Sequence, residues 1–298
     1  MSKVLPLGPL AVLLLVAPDV TALPPDMGHL GESAKAGGGG PGIRWERSFD
    51  EAVRKAKASG KPVLVDFWAE WCGWCRKLDT TTYADATVVK MSEQFVAVKV
   101  DAEGTSRGQA IAARYEVASL PTIAFLTSHG RPLLRVNGFQ GPGQFPRTME
   151  TALELAHRVS GWEETLDQHP GDAEALAALG THLFEQDALV ESGELLARAM
   201  RVDEKRPLIE RKQTRLLLGA ILKTQRKHAD AERVLKAALV LPASELDAKV
   251  LYVLAKNYLA WGRPSDGRMV LIQVVTEHSA NPIAEKARET LVTIEKPQ

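Results

Sequence analysis

Residues 63–77 run from an apolar, β-branched segment, Val63-Leu64-Val65-Asp66-Phe67-Trp68, into a helix-forming segment opened by Trp71-Cys72-Gly73-Trp74-Cys75. The apolar segment has strand length and composition, and the segment that follows carries the basic pair Arg76-Lys77. These are the only 2 cysteines in the 298 residues. A strand feeding a helix that begins at Cys-x-x-Cys is the arrangement of a redox-active dithiol. At the first helical turn, unpaired backbone N–H groups and the positive end of the helix dipole favour thiolate over thiol, and thiolate is the attacking species. Cys75, one turn on, is placed to attack a mixed disulfide formed on Cys72. Two other uses are weaker. A disulfide closing so short a loop removes little chain entropy, so it is a poor staple. Two cysteines supply half a tetrahedral zinc shell, and no histidine stands at ligand spacing beside them.

The chain's length suggests two domains. Its hydrophobic content of 45% and charged content of 25% are those of ordinary soluble proteins. Lys+Arg and Asp+Glu are both 37, so net charge points to neither nucleic acid nor an anionic membrane. Residues 1–22 read as a secretory signal: Lys3 is the positive n-region, Leu10 to Ala17 is an apolar run too short to span a bilayer, and Val20-Thr21-Ala22 is a small-residue cleavage site. An uncleaved interfacial anchor is the competing use of that segment, but no stable membrane span is expected after cleavage. No cysteine follows the run, which argues against a lipid anchor. The expected location is periplasmic or secreted, where disulfides persist. Residues 23–42, with Pro24-Pro25 and Gly37-Gly38-Gly39-Gly40-Pro41-Gly42, read as a flexible linker.

From residue 43 to 160 the pattern predicts a helix from a capping box at Ser48-Phe49-Asp50-Glu51 to Gly60, then the strand already described and the active helix reaching toward Leu78. A helical piece over Asp85 to Ser92, a strand over Phe95 to Val100 and a short helix over Gly108 to Tyr115 follow. A strand at Ser119 to Leu126, a hairpin partner at Leu133 to Val136 and a closing helix over Thr148 to Val159 complete the region. This order predicts an α/β domain, a mixed sheet with helices on both faces. Asp66 stands out, because a carboxylate inside an apolar strand is costly and its pKa should rise; the bland alternative is a strand edge facing water.

These segments, from Trp45 to about Ser160, resemble the thioredoxin superfamily. The carriers are Val65-Asp66-Phe67-Trp68-Ala69-Glu70-Trp71-Cys72-Gly73-Trp74-Cys75, the strand end Val100-Asp101, and Leu120-Pro121-Thr122. The opening Trp45…Phe49-Asp50-Glu51-Ala52…Gly60-Lys61-Pro62-Val63 is similar to the subgroup that contains the C-terminal domain of the bacterial disulfide reductase DsbD. The resemblance implies a thioredoxin fold and a thiol–disulfide oxidoreductase acting on protein thiols or disulfides, with no cofactor and no metal. It implies Cys72 as nucleophile, Cys75 as resolving cysteine, and Asp66 as the buried acid that moves the proton of Cys75. It further implies a cis Pro121, with Leu120 before it pairing with an extended substrate. Trp71 and Trp74 are candidates for an apolar substrate platform, with packing the competing role for Trp71. Trp74 departs from the commonest Gly-Pro dipeptide, which leaves reductase, oxidase and isomerase directions open.

Residues 161–298 shift to Ala, Leu, Glu, Arg and Lys at helical spacing. Leu179-Gly180, Leu183, Leu196 and Ala199 form one set; Leu218-Gly219, Leu222, Ala231, Leu235, Ala238 and Pro242 form the next; Leu254-Ala255, Tyr258, Gly267, Leu271 and Val274 form the third. Small residues let paired helices approach while large ones fill between them. The sets resemble tetratricopeptide repeats, with a capping helix over Pro282 to Glu295, and imply a protein partner for the repeats; a plain helical bundle is the alternative. The basic residues Arg211-Lys212, Arg215, Lys223 and Arg226-Lys227-His228 are read as a solvated helix face, and His157, His182 and His278 as structural or surface. A rival reading of the whole chain is a redox-sensitive scaffold in which the repeats carry the main binding role.

Overall fold

The computed structural model describes residues 42–295. The expected signal at 1–22 and nearly all of the linker at 23–42 lie outside them. Five strands form one mixed sheet in the order β1-β3-β2-β4-β5. They are β1 (Trp45–Glu46), β2 (Val63–Trp68), β3 (Val96–Asp101), β4 (Thr122–Leu126) and β5 (Pro132–Asn137). β1, β3 and β2 run parallel, while β4 is antiparallel to β2 and β5 to β4. Strand β1 is an addition to the expected order. Two residues carry no periodicity, and pairing with β3 defines them.

Alternation along β2 divides the core. Val63, Val65 and Phe67 face a cluster closed by α1 (Phe49–Ser59) and α4 (Ser106–Arg114). Leu64 faces the other cluster, with Ala97, Ile123, Phe125 and Leu133, covered by α3 (Ala86–Ser92) and α5 (Phe145–Gln168). Ser48 caps α1 by accepting from the Glu51 N–H at 3.2 Å, while the Glu51 carboxylate pairs with Lys55. Gly60 ends that helix in the left-handed region at φ 71°. Gly108 lies against the carbonyl end of β3: a β-carbon there would sit 1.8 Å from the Asp101 oxygen, so only glycine lets α4 approach so closely. The topology is that of the thioredoxin fold.

Helix α5 is longer at both ends than the expected 148–159 and runs without a break through Ser160-Gly161. Trp162 and Glu163 beyond that pair are held against the sheet. Arg131, in the β4–β5 turn, donates to Glu163 Oε1 at 2.5 Å and to Glu191 at 2.6 Å. His182 Nε2 meets the Pro132 carbonyl at 3.0 Å, and Arg135 donates to the Gln186 carbonyl at 3.4 Å. The apolar cluster on this face continues from Leu64 and Phe125 through α5 to Leu176, Leu179, Leu183 and Ala199.

The all-helical region continues with pairs that match the three sequence sets: α6 (Ala173–Glu185) with α7 (Leu189–Val202), α8 (Leu208–Thr224) with α9 (His228–Val240), and α10 (Asp247–Ala260) with α11 (Pro264–Glu277). The last helix, α12 (Ile283–Glu295), packs on α11 and α10. The small residues of the sets are points of close approach. A β-carbon on Gly219 would lie 2.5 Å from Leu235, one on Gly180 2.9 Å from Leu196, and one on Gly267 2.7 Å from Leu259. The reading of the basic cluster as a solvated face requires correction. Lys212 and Arg215 are buried. Lys212 Nζ pairs with Asp247 and donates to the Pro242 carbonyl at 2.8 Å. Arg215 grips Asp203 through two nitrogens at 2.6 and 3.3 Å. Their partners lie in other helices or loops, 35 and 12 residues away, so helical periodicity could not reveal them. Arg226 and Lys227 remain exposed. Among the described residues no helix is long and apolar enough to cross a membrane.

Candidate active site

Cys72 caps the short helix α2 (Gly73–Lys77), which continues as one π-helical turn over Leu78–Thr82. The two cysteines form a disulfide, with Cα atoms 5.3 Å apart. Cys72 Sγ accepts the backbone N–H of Cys75 at 3.2 Å, a contact that would favour a thiolate on this sulfur after reduction. Both cysteines are 2% exposed, whereas Trp71 and Trp74 beside them are 64% and 56% exposed. The rings, not the sulfurs, are therefore the first surface an approaching chain meets.

Register explains the rest of the site. Trp68 at the end of β2 pairs with Asp101 at the end of β3, and Phe67 pairs with Thr122 at the start of β4. Thr122 pairs with Asn137 at the end of β5. The Cys72–Cys75 segment, the loop after β3, Leu120-Pro121 and the loop after β5 thus share one edge of the sheet. The Leu120–Pro121 bond is cis. Leu120 is half-buried and Pro121 buried, and the Pro121 carbonyl accepts the Gly138 N–H at 2.8 Å.

Asp66 is fully buried on central strand β2, on the same face as Leu64, so the solvent-facing alternative is excluded. Register places Lys99 of β3 directly beside it, with Nζ 3.0 Å from Asp66 Oδ2. That is an ion-pair distance, but its angles form no hydrogen bond, and neither carboxylate oxygen has a hydrogen-bond partner. Burial raises the Asp66 pKa above the usual carboxylate range, and Lys99 only partly offsets this. Lys99 also pairs with half-exposed Asp79 and lies 5.2 and 5.4 Å from the ring centres of Trp45 and Tyr83. Burial lowers its pKa, but the two carboxylates outweigh burial and the net shift is upward. Tyr83 is buried, and burial first, then Asp66, pushes its hydroxyl well above its ordinary pKa.

Sequence reasoning missed Lys99 and the residues around the tryptophans. A lone lysine in the apolar run of β3 mirrors the lone aspartate in β2, and parallel pairing of the two runs would have brought them together. Trp71 Nε1 donates to Glu103 at 2.8 Å. Trp74 packs on Phe139 with centroids 5.4 Å apart, and Lys77 Nζ sits 4.8 and 5.0 Å from the two rings. Among the described residues no group of three His, Cys, Asp or Glu side chains is placed to hold a metal ion.

Comparison with known proteins agrees with this geometry. A family profile described as thioredoxin-like matches residues 44–128. Thioredoxin Y of the chloroplast, from Oryza sativa subsp. japonica, is 36% identical over 109 residues, covering 37% of this chain and 60% of that protein. The thiol:disulfide interchange protein DsbD of Ralstonia nicotianae is 32% identical over 142 residues, 45% of this chain and 23% of that one. The chain thus spans less than two thirds of the length of either relative. A thioredoxin-like protein of Synechocystis sp. is 32% identical over 105 residues, 35% of this chain but 94% of its own length. Covering that relative almost end to end, with the disulfide, the cis-proline and the buried acid on one sheet edge or beneath it, the chain belongs to the thioredoxin-like family.

Proposed function

We propose that the protein is a thiol–disulfide oxidoreductase of protein substrates, exported to the periplasm or secreted, whose helical region docks a substrate or partner. The observation that carries this reading is the Cys72–Cys75 disulfide at the start of α2. In the reducing direction the Cys72 thiolate attacks a substrate disulfide, forms a mixed disulfide and releases one substrate sulfur as thiolate. Cys75 gives its proton to Asp66 and attacks Cys72 Sγ, which forms the internal disulfide and releases the second substrate sulfur. Two electrons pass to the substrate, and the reverse sequence oxidises it. A carboxylate with a raised pKa suits the proton step at neutral pH. Leu120 and Pro121, with Trp71 and Trp74, form the substrate-facing surface in this scheme.

Two regions divide the work: a thioredoxin-like unit over 43–160 and tetratricopeptide-like repeats over 161–298. The docking role is supported by a cavity of about 380 Å³ between α5, α6 and α8, lined by Leu155, Arg158, Trp162, Ala178 and Gln213 among others. Export is supported by the positive, apolar and small-residue order of residues 1–22.

The test is substrate trapping with the full chain. Cys75→Ser keeps the nucleophile and removes the exit, so mixed disulfides should accumulate on Cys72 and be released by reductant. Filling the cavity with Ala178→Arg in that background should thin the adduct pattern. No adducts from folded Cys75→Ser would defeat the oxidoreductase reading, and an unchanged pattern with Ala178→Arg would defeat the docking role.

A further inference from the structure

The two tryptophans beside the disulfide are tied to opposite charges. Trp71 is bound to Glu103, an exposed residue just past β3. Trp74 packs at a tilt of 39° on Phe139, just past β5, and both rings lie under the Lys77 ammonium. Lys77 is exposed and, among the described residues, meets these rings rather than a carboxylate. The loop carrying Phe139 is anchored from three sides. Gly138 donates to the Pro121 carbonyl at 2.8 Å, Thr82 Oγ1 to the Gln140 carbonyl at 2.7 Å, and Thr148 Oγ1 to Gln140 Oε1 at 2.8 Å. Phe139 is therefore a fixed wall rather than a loose loop tip.

Strand order sets how far apart the Glu103 loop and the Phe139 wall beneath Lys77 begin. In β1-β3-β2-β4-β5, β3 and β5 lie on opposite sides of the pair that carries the disulfide and the cis-proline. Three strand spacings of about 4.8 Å separate them, roughly 14 Å, which an extended chain covers in about four residues. Asp101 stands two residues before Glu103; of the neighbouring cations, Arg76 is turned back onto the Glu70 carbonyl at 2.6 Å and Arg107 is paired with Asp50 at 2.6 Å. One end of the site is thus acidic and the other basic and aromatic, with the reactive sulfurs between.

We propose that the site selects polypeptide segments with an acidic residue on one side of the reacting cysteine and a basic residue about two positions away on the other. The acidic side chain meets Lys77 over the Trp74–Phe139 shelf, and the basic one meets Glu103 beside Trp71. This rests on the oxidoreductase reading and adds a substrate class to it.

The test compares two symmetrical peptide disulfides of one composition, each joined through a single cysteine. One has Glu two positions before the cysteine and Lys two positions after; the other has the order reversed. The readout is the ratio of second-order rate constants for the two peptides with the reduced full-length protein, so that changes in intrinsic cysteine reactivity cancel. One order should react about three- to tenfold faster at low salt, the range expected of two exposed charge pairs. The preference should collapse in about 0.5 M salt. The double reversal Lys77→Glu with Glu103→Lys should favour the other order, and Lys77→Gln alone should shrink the ratio. A ratio within twofold of one for the wild-type protein, or a preference unmoved by the double reversal, overturns the proposal while leaving the oxidoreductase reading in place. No exchange with either peptide by the folded, reduced protein overturns both.

Discussion

Replacing Asp66 by asparagine should make the protein more stable and slower at once. The carboxylate is fully buried and neither oxygen is hydrogen-bonded. Its compensation is Lys99 at 3.0 Å. At that separation two unit charges attract by about 5 to 6 kcal/mol at an effective dielectric of about 20. The pKa of Asp66 is nevertheless raised, so burial costs the charged form more than Lys99 returns. The folded protein therefore binds the Asp66 proton more tightly than the unfolded chain does, where the pKa is about 3.9. Stability from this group is fully present below about pH 4 and is lost as pH rises through the folded pKa. Asparagine keeps the shape without the charge, and Lys99 retains Asp79 as a partner. Asp66→Asn should thus gain about 1 to 3 kcal/mol at pH 7.5, the range seen when buried charges are removed without stranding a partner. The gain should shrink toward zero at pH 4. Urea unfolding of the two oxidised proteins at both pH values measures it, and oxidation keeps the cysteines from titrating. Insulin reduction near neutral pH should fall about tenfold or more for loss of a positioned proton acceptor. A variant no more stable than wild type at pH 7.5, or one whose gain persists at pH 4, would refute the reasoning.

Three further substitutions test other parts of the structure. Gly108→Ala would ordinarily help a helix by about 1 kcal/mol, but its β-carbon would stand 1.8 Å from the Asp101 carbonyl oxygen; a net loss of about 3 kcal/mol is expected in urea unfolding. Arg215→Met removes both hydrogen bonds that hold Asp203, which is 1% exposed, and leaves it only Arg211 at 3.6 Å; this should cost about 2 to 3 kcal/mol, most of it recovered in the double variant with Asp203→Asn. Arg131→Met leaves the nearly buried Glu163 without its 2.5 Å partner and should lower the thermal midpoint by several degrees, at roughly 2 to 4 °C per kcal/mol; Glu163→Gln in the same chain should restore part of the loss.

The thioredoxin-like half was legible because its signals are local. The run Val63 to Trp68, the Cys72–Cys75 spacing and Leu120-Pro121 each report their own element, and in the structure the strand leads to the Cys72–Cys75 turn while the Leu120–Pro121 bond is cis. What escaped notice depends on pairing across distance. Strand β1 exists through its register with β3. Lys99 gains its meaning from lying opposite Asp66. Phe139 sits in a Gly- and Pro-rich stretch that reads as a turn, and three hydrogen bonds to separate elements make it a wall. The same limit produced the misreading of Lys212 and Arg215: a basic helix face looks solvated until the carboxylates facing it are known. The expected helix stops at Val159, yet α5 continues through Gly161, and Glu163 two residues later is anchored by Arg131.

Strand β5 ends the sheet, and its free side could in principle recruit a strand from another molecule. The other margin is β1, whose two residues offer a stranger too little backbone to pair with. On the β5 side, the Pro132 carbonyl is taken by His182, and Arg135 reaches across to Gln186. Burial, partly offset by the Pro132 carbonyl, lowers the pKa of His182, so the imidazole is neutral at physiological pH. The first helical pair is therefore a partial selvedge as well as the start of an array: it occupies a carbonyl at the start of β5 and holds that strand's Arg135. For the oxidoreductase proposed above, which would work among partly unfolded chains with unpaired strands of their own, this covered stretch would favour contact at the Cys72–Cys75 end.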